Sequence, residues 1–313
     1  MTAASRSSFR LHALAWLAGS LPPAAMRAFA RLRARLASRN GRDYQVARTN
    51  LTLIAPHLGH VAADWVTPAR IRAVLAGASL TALESLRVWT RPVSQNLEAI
   101  RDVHGMPLLQ AALAERRGLL IAAPHYGNWE LLNQWLAQHM PLAVLYAPPE
   151  SATVEAFLNS VRGRPGVRTV RAEAAGVRTL LKHLQQCGAV GILPDQQPKR
   201  GDGVFAPFFG VPALTMTLFA RLAQRSGAAC LLVAAERRSD GSGFDIRIRP
   251  LPVAVADADP VVACTALNAA VETLVRADET QYQWSYKRFS VAPSGLGKDN
   301  PYWPHAYPNR RKR

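Results

Sequence analysis

The sequence predicts an α/β protein with a mixed, largely parallel central sheet flanked by helices. Two observations predict this class. From residue 118 onward, short apolar runs typical of buried strands alternate with amphipathic helical stretches, which is the pattern of a sheet covered by helices. In addition, 49% of the 313 residues are apolar and 19% are charged, so the chain can bury a sizeable core.

A membrane-associated helical segment is expected ahead of this fold, over residues 1–40. No residue from Leu11 to Met26 is charged at neutral pH, and leucines recur there at helical spacing. The run is shorter than the roughly 20 apolar residues of a spanning helix. The arginines that follow from Arg27 could meet lipid phosphates, as in a helix that lies in the membrane interface. A secretory signal peptide and a core-packed helix pair remain alternatives.

Residues 41–313 are expected to form one domain with three parts. Residues 41–117 are mostly helical in pattern, and Thr67 followed by Pro68 is a typical helix start. Residues 118–290 form the α/β core, and residues 291–313 form a basic C-terminal tail.

The α/β core contains five expected strands and five expected helices. Ser151 caps the second of these helices, and Gly188 and Gly227 close the third and fourth. The expected strands cover residues 118–124, 142–148, 189–195, 229–238 and 244–251. The expected helices cover residues 129–138, 151–164, 176–188, 215–227 and 259–278.

Charge and cysteine content narrow the classes of partner. The net charge of +17 favours anions such as nucleic acid, an anionic membrane face, phosphorylated ligands or an acidic protein. A nucleic-acid-binding protein is the rival from another class, but no recognition motif is evident, so we expect no nucleic-acid partner. The three cysteines form no CxxC pair, and we expect neither a metal nor a cofactor.

The stretch "APHYGNWELL" carries the candidate catalytic residues. His125 follows an apolar strand directly, Gly127 permits a tight turn, and Asn128 is a candidate helix cap. Glu130 falls in the first helical turn, from which its carboxylate can reach back to one imidazole nitrogen of His125. The pair is then a general-base dyad suited to a hydroxyl that attacks an acyl carbonyl. The alternative is an ordinary strand-end histidine with an acidic helix start.

Three further groups are candidate binding residues. Arg162, with Arg164 as the close alternative, could clamp a phosphate or stabilise an oxyanion, or could belong to a solvated basic loop. Asp195 ends an expected strand beside Gln196, and both could line a pocket, where the acid would orient a basic residue or the acceptor; a turn aspartate is the alternative. The loop "VFAPFFG" (204–210) could border an acyl groove or touch the bilayer, or it could pack in the core.

The stretch that holds His125 and the stretch that holds Asp195, together with residues 47–58, 82–89 and 281–289, resemble the bacterial lipid A late acyltransferases. This family has a His-x4-Asp/Glu motif, and the resemblance covers about residues 10–290. The resemblance implies an O-acyltransferase that moves a fatty acyl chain from acyl carrier protein to a hydroxyl of a lipid A precursor. It implies a position at the cytoplasmic face of the inner membrane, with His125 as general base, Glu130 as its orienting acid, and Asn128 among the residues that bind substrate. The stretches that carry the resemblance are residues 47–58, 82–89, 125–132, 191–213 and 281–289.

Two positions depart from the family pattern. Ala147 stands where the family often has the arginine of a Tyr-Arg-Pro triplet, and Tyr286 stands where it often has a histidine. These departures bear on acceptor or acyl-chain specificity. A lysophosphatidate or ornithine-lipid acceptor, and coenzyme A as donor, therefore remain alternatives.

Overall fold

The computed structural model describes residues 12–149, 151–162, 166–198, 201–293 and 300–307. The chain divides into two compact units. The first comprises Met1–Met26, Ala82–Leu193 and Leu222–Leu251, and the second comprises Arg27–Thr81, Pro194–Arg221 and Pro252–Arg313.

The first unit is built on a seven-stranded sheet with the order β1-β9-β8-β2-β5-β3-β4. Strands β2 to β5 and β8 are mutually parallel where they pair, whereas β9 is antiparallel to β8 and parallel to β1. The sheet is therefore mixed and largely parallel, which confirms the predicted class. The strands are β1 (Ile100–His104), β2 (Leu119–Ala122), β3 (Leu142–Tyr146), β4 (Val167–Arg171), β5 (Ala189–Ile192), β8 (Ala229–Arg237) and β9 (Phe244–Pro250).

Helices flank this sheet, and α7 (Trp129–Leu136) shows how an apolar stripe attaches such a helix to it. In α7, the side chains of Leu132, Trp135 and Leu136 pack in the main apolar core with residues of β2, β3 and β8. Residues 12–19 are also helical and belong to this unit. The helices are α5 (Val93–Leu97), α6 (Met106–Ala114), α7 (Trp129–Leu136), α8 (Ala152–Arg162) and α9 (Ala174–Gln185).

The second unit combines helices with a β-hairpin. The hairpin joins β6 (Gly203–Phe208) and β7 (Val211–Met216) in antiparallel register. Its helices are α2 (Arg42–Ile54), α3 (Ala62–Trp65) and α11 (Pro260–Ala277), with 3₁₀ turns at Pro56–Leu58, Val253–Ala256 and Glu279–Gln281. Helices α1 (Pro23–Leu36), α4 (Pro68–Thr90) and α10 (Leu218–Ser226) contribute residues to both units.

The structure corrects four expectations about local structure. Strand β1 interrupts the helical part, and β4 lies in a stretch where no strand was expected. Both are edge strands of the sheet; β1 has no buried residue and β4 has one, so neither has the continuous apolar run of a central strand. The expected loop 204–210 belongs to the β6–β7 hairpin. Thr215 and Met216, which were expected to begin a helix, are residues of strand β7. Cys187, with φ of 61°, takes the left-handed position after α9 that was expected of Gly188.

The N-terminal helix has an unusual distribution of side chains. Its small residues Ala15 and Gly19 are buried, whereas Leu14, Trp16 and Leu17 are about 60% exposed. Ala15 packs against Phe157 and Val161 of α8, and a side chain at Gly19 would collide with Thr90. Within the ranges that the structure describes, no helix is long and apolar enough to cross a bilayer.

Candidate active site

His125 lies three residues beyond the end of the central strand β2. The chain leaves the sheet at Ala123, whose N–H donates to the carbonyl of Ile192 at the end of β5 (2.9 Å). The imidazole meets the Trp129 ring edge-on, with 4.9 Å between ring centroids, and stays partly exposed. The ring is thus held at the carboxyl edge of a parallel sheet, where sites of such folds form.

Gly127 makes the turn between His125 and α7 possible. Its φ is +61°, and a Cβ at this position would lie 2.0 Å from the carbonyl oxygen of Ala235 in β8. The next N–H, from Asn128, donates to the same carbonyl at 2.9 Å. The turn is therefore pinned to the neighbouring strand, and only glycine fits there without strain.

Asn128 caps α7, as the sequence predicted. Its Oδ1 accepts from the N–H of Leu131 at 3.0 Å, which satisfies one of the free donors at the helix start. The side chain is fully buried, and its Nδ2 meets no acceptor among the described residues. The observed role is structural, and a contact with substrate stays a prediction.

Glu130, in the first turn of α7, is buried and paired with Arg162. The Arg162 Nε donates to Oε1 at 2.9 Å and to Oε2 at 3.3 Å, and Nη2 also donates to Oε1. Only 4% of the glutamate side chain is exposed, against 26% of the arginine. A carboxylate removed from water to this extent needs such a partner. The predicted contact of Glu130 with His125 stays a prediction.

Arg162 is itself held from a second side. Its guanidinium lies 5.7 Å from the centroid of the Trp89 ring, within the range of a cation–π contact. Trp89 in turn meets Phe157 of α8 edge-on at 5.9 Å. Arg162 is thus fixed between an acid and an aromatic ring, while its predicted contact with substrate remains to be tested.

Helix α8, which carries Arg162, is also held by hydrogen bonds at Glu155, two turns before Arg162. The Tyr146 hydroxyl donates to Oε1 of Glu155 at 3.1 Å, and Arg171 donates to both side chains. Tyr146 and Arg171 are register partners at the ends of β3 and β4. Glu155 and Arg162 are seven residues apart and share one helix face. The contact between Tyr146 and Glu155 was not predicted from the sequence, although the spacing of seven residues between Glu155 and Arg162 is visible in it.

The remaining predicted residues are distributed as follows. Arg164 lies outside the described residues, and Arg168 is exposed on β4. Asp195 and Gln196 belong to the second unit. Gln196 donates from Nε2 to Oε1 of Gln283 at 3.1 Å.

Asp195 is buried in the second unit beside an aromatic and basic cluster. It hydrogen-bonds with Tyr282, whose pKa is raised by burial and then by the charge of Asp195. Arg288 is fully buried and donates to the carbonyl of Leu214 at 2.6 Å and to Oγ1 of Thr215 at 2.8 Å. Burial lowers the pKa of Arg288, while Tyr282 and Asp195 act in the opposite direction.

Tyr286, one of the two departures from the family pattern, has a structural role in this unit. Its hydroxyl accepts the N–H of Gln197 at 2.8 Å, so it holds the segment that follows Asp195. Its own carbonyl, and that of Trp284, accept from Nδ2 of Asn50 at 2.8 and 2.7 Å. Three of the stretches that carried the family resemblance therefore meet in one hydrogen-bonded network.

The first unit thus places a His-x4-Glu sequence at the carboxyl end of its central strand, with the glutamate buried and paired to an arginine. The chain belongs to the bacterial lipid A biosynthesis acyltransferase family, whose model matches residues 7–290. It is an enzyme of the O-acyltransferase class.

Three relatives illustrate the range of the similarity. The lipid A biosynthesis palmitoleoyltransferase of Escherichia coli K12 is 27% identical over 81% of each chain. The lipid A biosynthesis lauroyltransferase of the same strain is 24% identical over 68% of this chain and 69% of its own. A phosphatidylinositol mannoside acyltransferase of Mycobacterium tuberculosis (strain CDC 1551 / Oshkosh) is 29% identical over 85% of this chain and 81% of its own.

Proposed function

We propose that this enzyme transfers a fatty acyl chain from acyl carrier protein to a hydroxyl of a lipid A precursor, at the cytoplasmic face of the inner membrane. The observation that carries the proposal is the position of His125 at the carboxyl edge of the sheet, five residues before the buried Glu130. Family membership and the names of the two Escherichia coli relatives support the acceptor.

The reaction follows from general base catalysis. His125 takes the proton of the acceptor hydroxyl as its oxygen attacks the thioester carbonyl. The tetrahedral oxyanion then collapses, the carbon–sulfur bond breaks, and the imidazolium returns the proton to the departing thiolate. Glu130 orients the ring through its second nitrogen and stabilises the imidazolium. The products are the ester and the free thiol of the carrier.

Arg162 places a positive charge beside this dyad. Its contacts with Glu130 and Trp89 hold the guanidinium in place, and preorganised charge of this kind is an effective way to stabilise a developing oxyanion. We infer that Arg162 has two roles: it compensates the buried Glu130 and it stabilises negative charge in the transition state.

The N-terminal helix supports membrane association. Its buried face consists of small residues and its exposed face of Leu14, Trp16 and Leu17, which reverses the distribution of a water-facing helix. Small residues at four-residue spacing favour close helix packing, and tryptophan is enriched at membrane interfaces. We infer that this helix lies in the interface with its large apolar side chains in lipid.

A different lipid acceptor is the second candidate. Two observations favour this second candidate: the similarity to a phosphatidylinositol mannoside acyltransferase, and the departures from the family pattern at Ala147 and Tyr286. Lysophosphatidate and ornithine-lipid precursors carry a free hydroxyl and would use the same base.

The test is acyl transfer by the purified enzyme with acyl carrier protein thioesters and three acceptors: a lipid A precursor, lysophosphatidate and an ornithine-lipid precursor. Mass spectrometry should show one added acyl chain on the lipid A precursor, and none with His125→Ala. Transfer to another acceptor alone would replace the proposed substrate. Lipid A from cells with and without the gene provides the matching measurement in vivo.

A further inference from the structure

Helix α1 exposes a row of large apolar side chains. Phe29 and Leu32 are each 52% exposed and Leu36 is 75% exposed. Their spacing of three and four residues places them on one face of the helix. Exposed apolar residues that share one face are typical of surfaces that bind a partner or a membrane.

A groove runs beside this row within the second unit. Its volume is about 520 Å³, which lies within the roughly 300–1,000 Å³ of small-molecule sites. Its walls are mostly apolar. They are contributed by the second half of α1, the connection to α2, the first turn of α2 and one residue of α4, with Phe29, Leu32, Leu36, Tyr44 and Leu75 among them.

Two arginines at this groove share one acid. Arg42 donates from Nη1 to Oδ1 of Asp43 at 2.8 Å, and Nη2 of Arg33 lies 3.6 Å from Oδ2. Both arginine side chains are more than half exposed. One carboxylate cannot neutralise two guanidinium groups, so the groove carries a net positive charge and retains donors for an anion.

We propose that this groove binds an anionic phospholipid of the bilayer, with an acyl chain along the apolar walls and the phosphate at Arg33 and Arg42. The apolar walls select a chain, and the uncompensated arginine charge selects an anionic headgroup. The proposal deepens the membrane association proposed above and rests on it. It specifies the class of lipid that is bound and the groove that binds it.

The first experiment is vesicle flotation of the full-length protein. The vesicles contain phosphatidylcholine alone or phosphatidylcholine with phosphatidylglycerol. Arg33→Gln/Arg42→Gln should weaken binding to the anionic vesicles by about tenfold or more, because two basic residues that attract an anionic surface are lost. Binding to neutral vesicles should not change. The control, Arg178→Gln/Arg225→Gln, removes the same charge from exposed positions elsewhere.

The second experiment separates a lipid from a free anion. Dihexanoyl-phosphatidylglycerol below its micelle concentration should raise the unfolding temperature of the wild type, and glycerol phosphate at equal concentration should not. Because Arg33 also donates to Ser79 at 2.5 Å, Arg42→Gln alone is the variant that keeps this packing. It should lose most of the stabilisation by the lipid.

Two outcomes would overturn the proposal: equal stabilisation by glycerol phosphate, or variants that float like the charge control. Acyl transfer to a detergent-dispersed acceptor is measured in parallel, and the groove variants should retain it. Absent transfer by the wild type would refute the proposed reaction and leave the lipid site standing. Normal transfer with unaltered flotation would do the reverse.

Discussion

The Nε of Arg162 donates to both oxygens of the Glu130 carboxylate, at 2.9 Å and 3.3 Å, across 32 residues of sequence. Glu130 lies in the first turn of α7, the helix that follows His125, and Arg162 ends α8, which packs on the N-terminal helix through Phe157 and Val161. One ion pair therefore connects the candidate catalytic turn to a helix that packs on the N-terminal helix, whose exposed face is proposed to bind the membrane.

Removing Arg162 should destabilise the fold as well as slow transfer. Arg162→Leu leaves Glu130 buried without its partner, which typically costs about 3–5 kcal/mol; the partial exposure of the arginine places the expected value near the lower limit. The double variant Arg162→Leu/Glu130→Gln should recover most of this stability and remain inactive. Urea unfolding measures the first effect and steady-state kinetics the second. A double variant as active as the wild type would exclude a chemical role for the pair.

Gly127→Ala should disrupt the catalytic turn. The substitution combines a positive φ with a contact of 2.0 Å to the Ala235 carbonyl, so it should destabilise by clearly more than about 1 kcal/mol and reduce kcat. Gly59→Ala is the matched control, because Gly59 has φ of +78° with nothing within 4 Å. Equal losses of stability in the two variants would show that the contact with β8 is unimportant.

Capture of the donor should depend on salt. The protein carries a net charge of +17, and acyl carrier protein is acidic. Screening acts over about 8 Å at physiological ionic strength, so the KM for the carrier-protein thioester should rise with salt while kcat changes little. Acyl-coenzyme A is the comparison donor. Equal and salt-independent activity with both donors would contradict the carrier-protein assignment.

Burial of two thiols should control alkylation and alkaline stability. Burial raises the pKa of Cys230 and of Cys264 from 9.0 to about 11, whereas Cys187 is exposed. At pH 8 iodoacetamide should therefore modify one thiol of the native protein and all three after denaturation. Between pH 9 and 11 the unfolded chain releases these protons first, so stability should fall as pH rises. Rapid modification of all three native thiols would disprove the packing around them.

The sequence was sufficient to predict the parts of the fold that bury continuous apolar runs. β2 and β5 are fully buried, and the cap at Asn128 and the glycine at 127 follow from local backbone chemistry. The edge strands β1 and β4 were not predicted because they bury little. Gly188 was assigned the left-handed position because glycine adopts it most easily, yet Cys187 occupies it.

The candidate site was predictable only where its residues are close in sequence. His125 and Glu130 share one turn, whereas the pairing of Glu130 with Arg162 depends on how β3 and α8 return the chain to the sheet. The network of Asn50, Trp284 and Tyr286 spans more than 230 residues. The residue types at these positions could suggest a role for each residue, but they could not predict which distant residue each one contacts.

The central claim is that His125 is the general base and that Glu130 orients it. The most direct test is the turnover of purified His125→Ala and Glu130→Ala on a lipid A precursor, with folding checked by circular dichroism. We expect no measurable transfer by His125→Ala with near-native folding, and a loss of about 100-fold or more in Glu130→Ala. Near-normal turnover by a folded His125→Ala enzyme would contradict the mechanism.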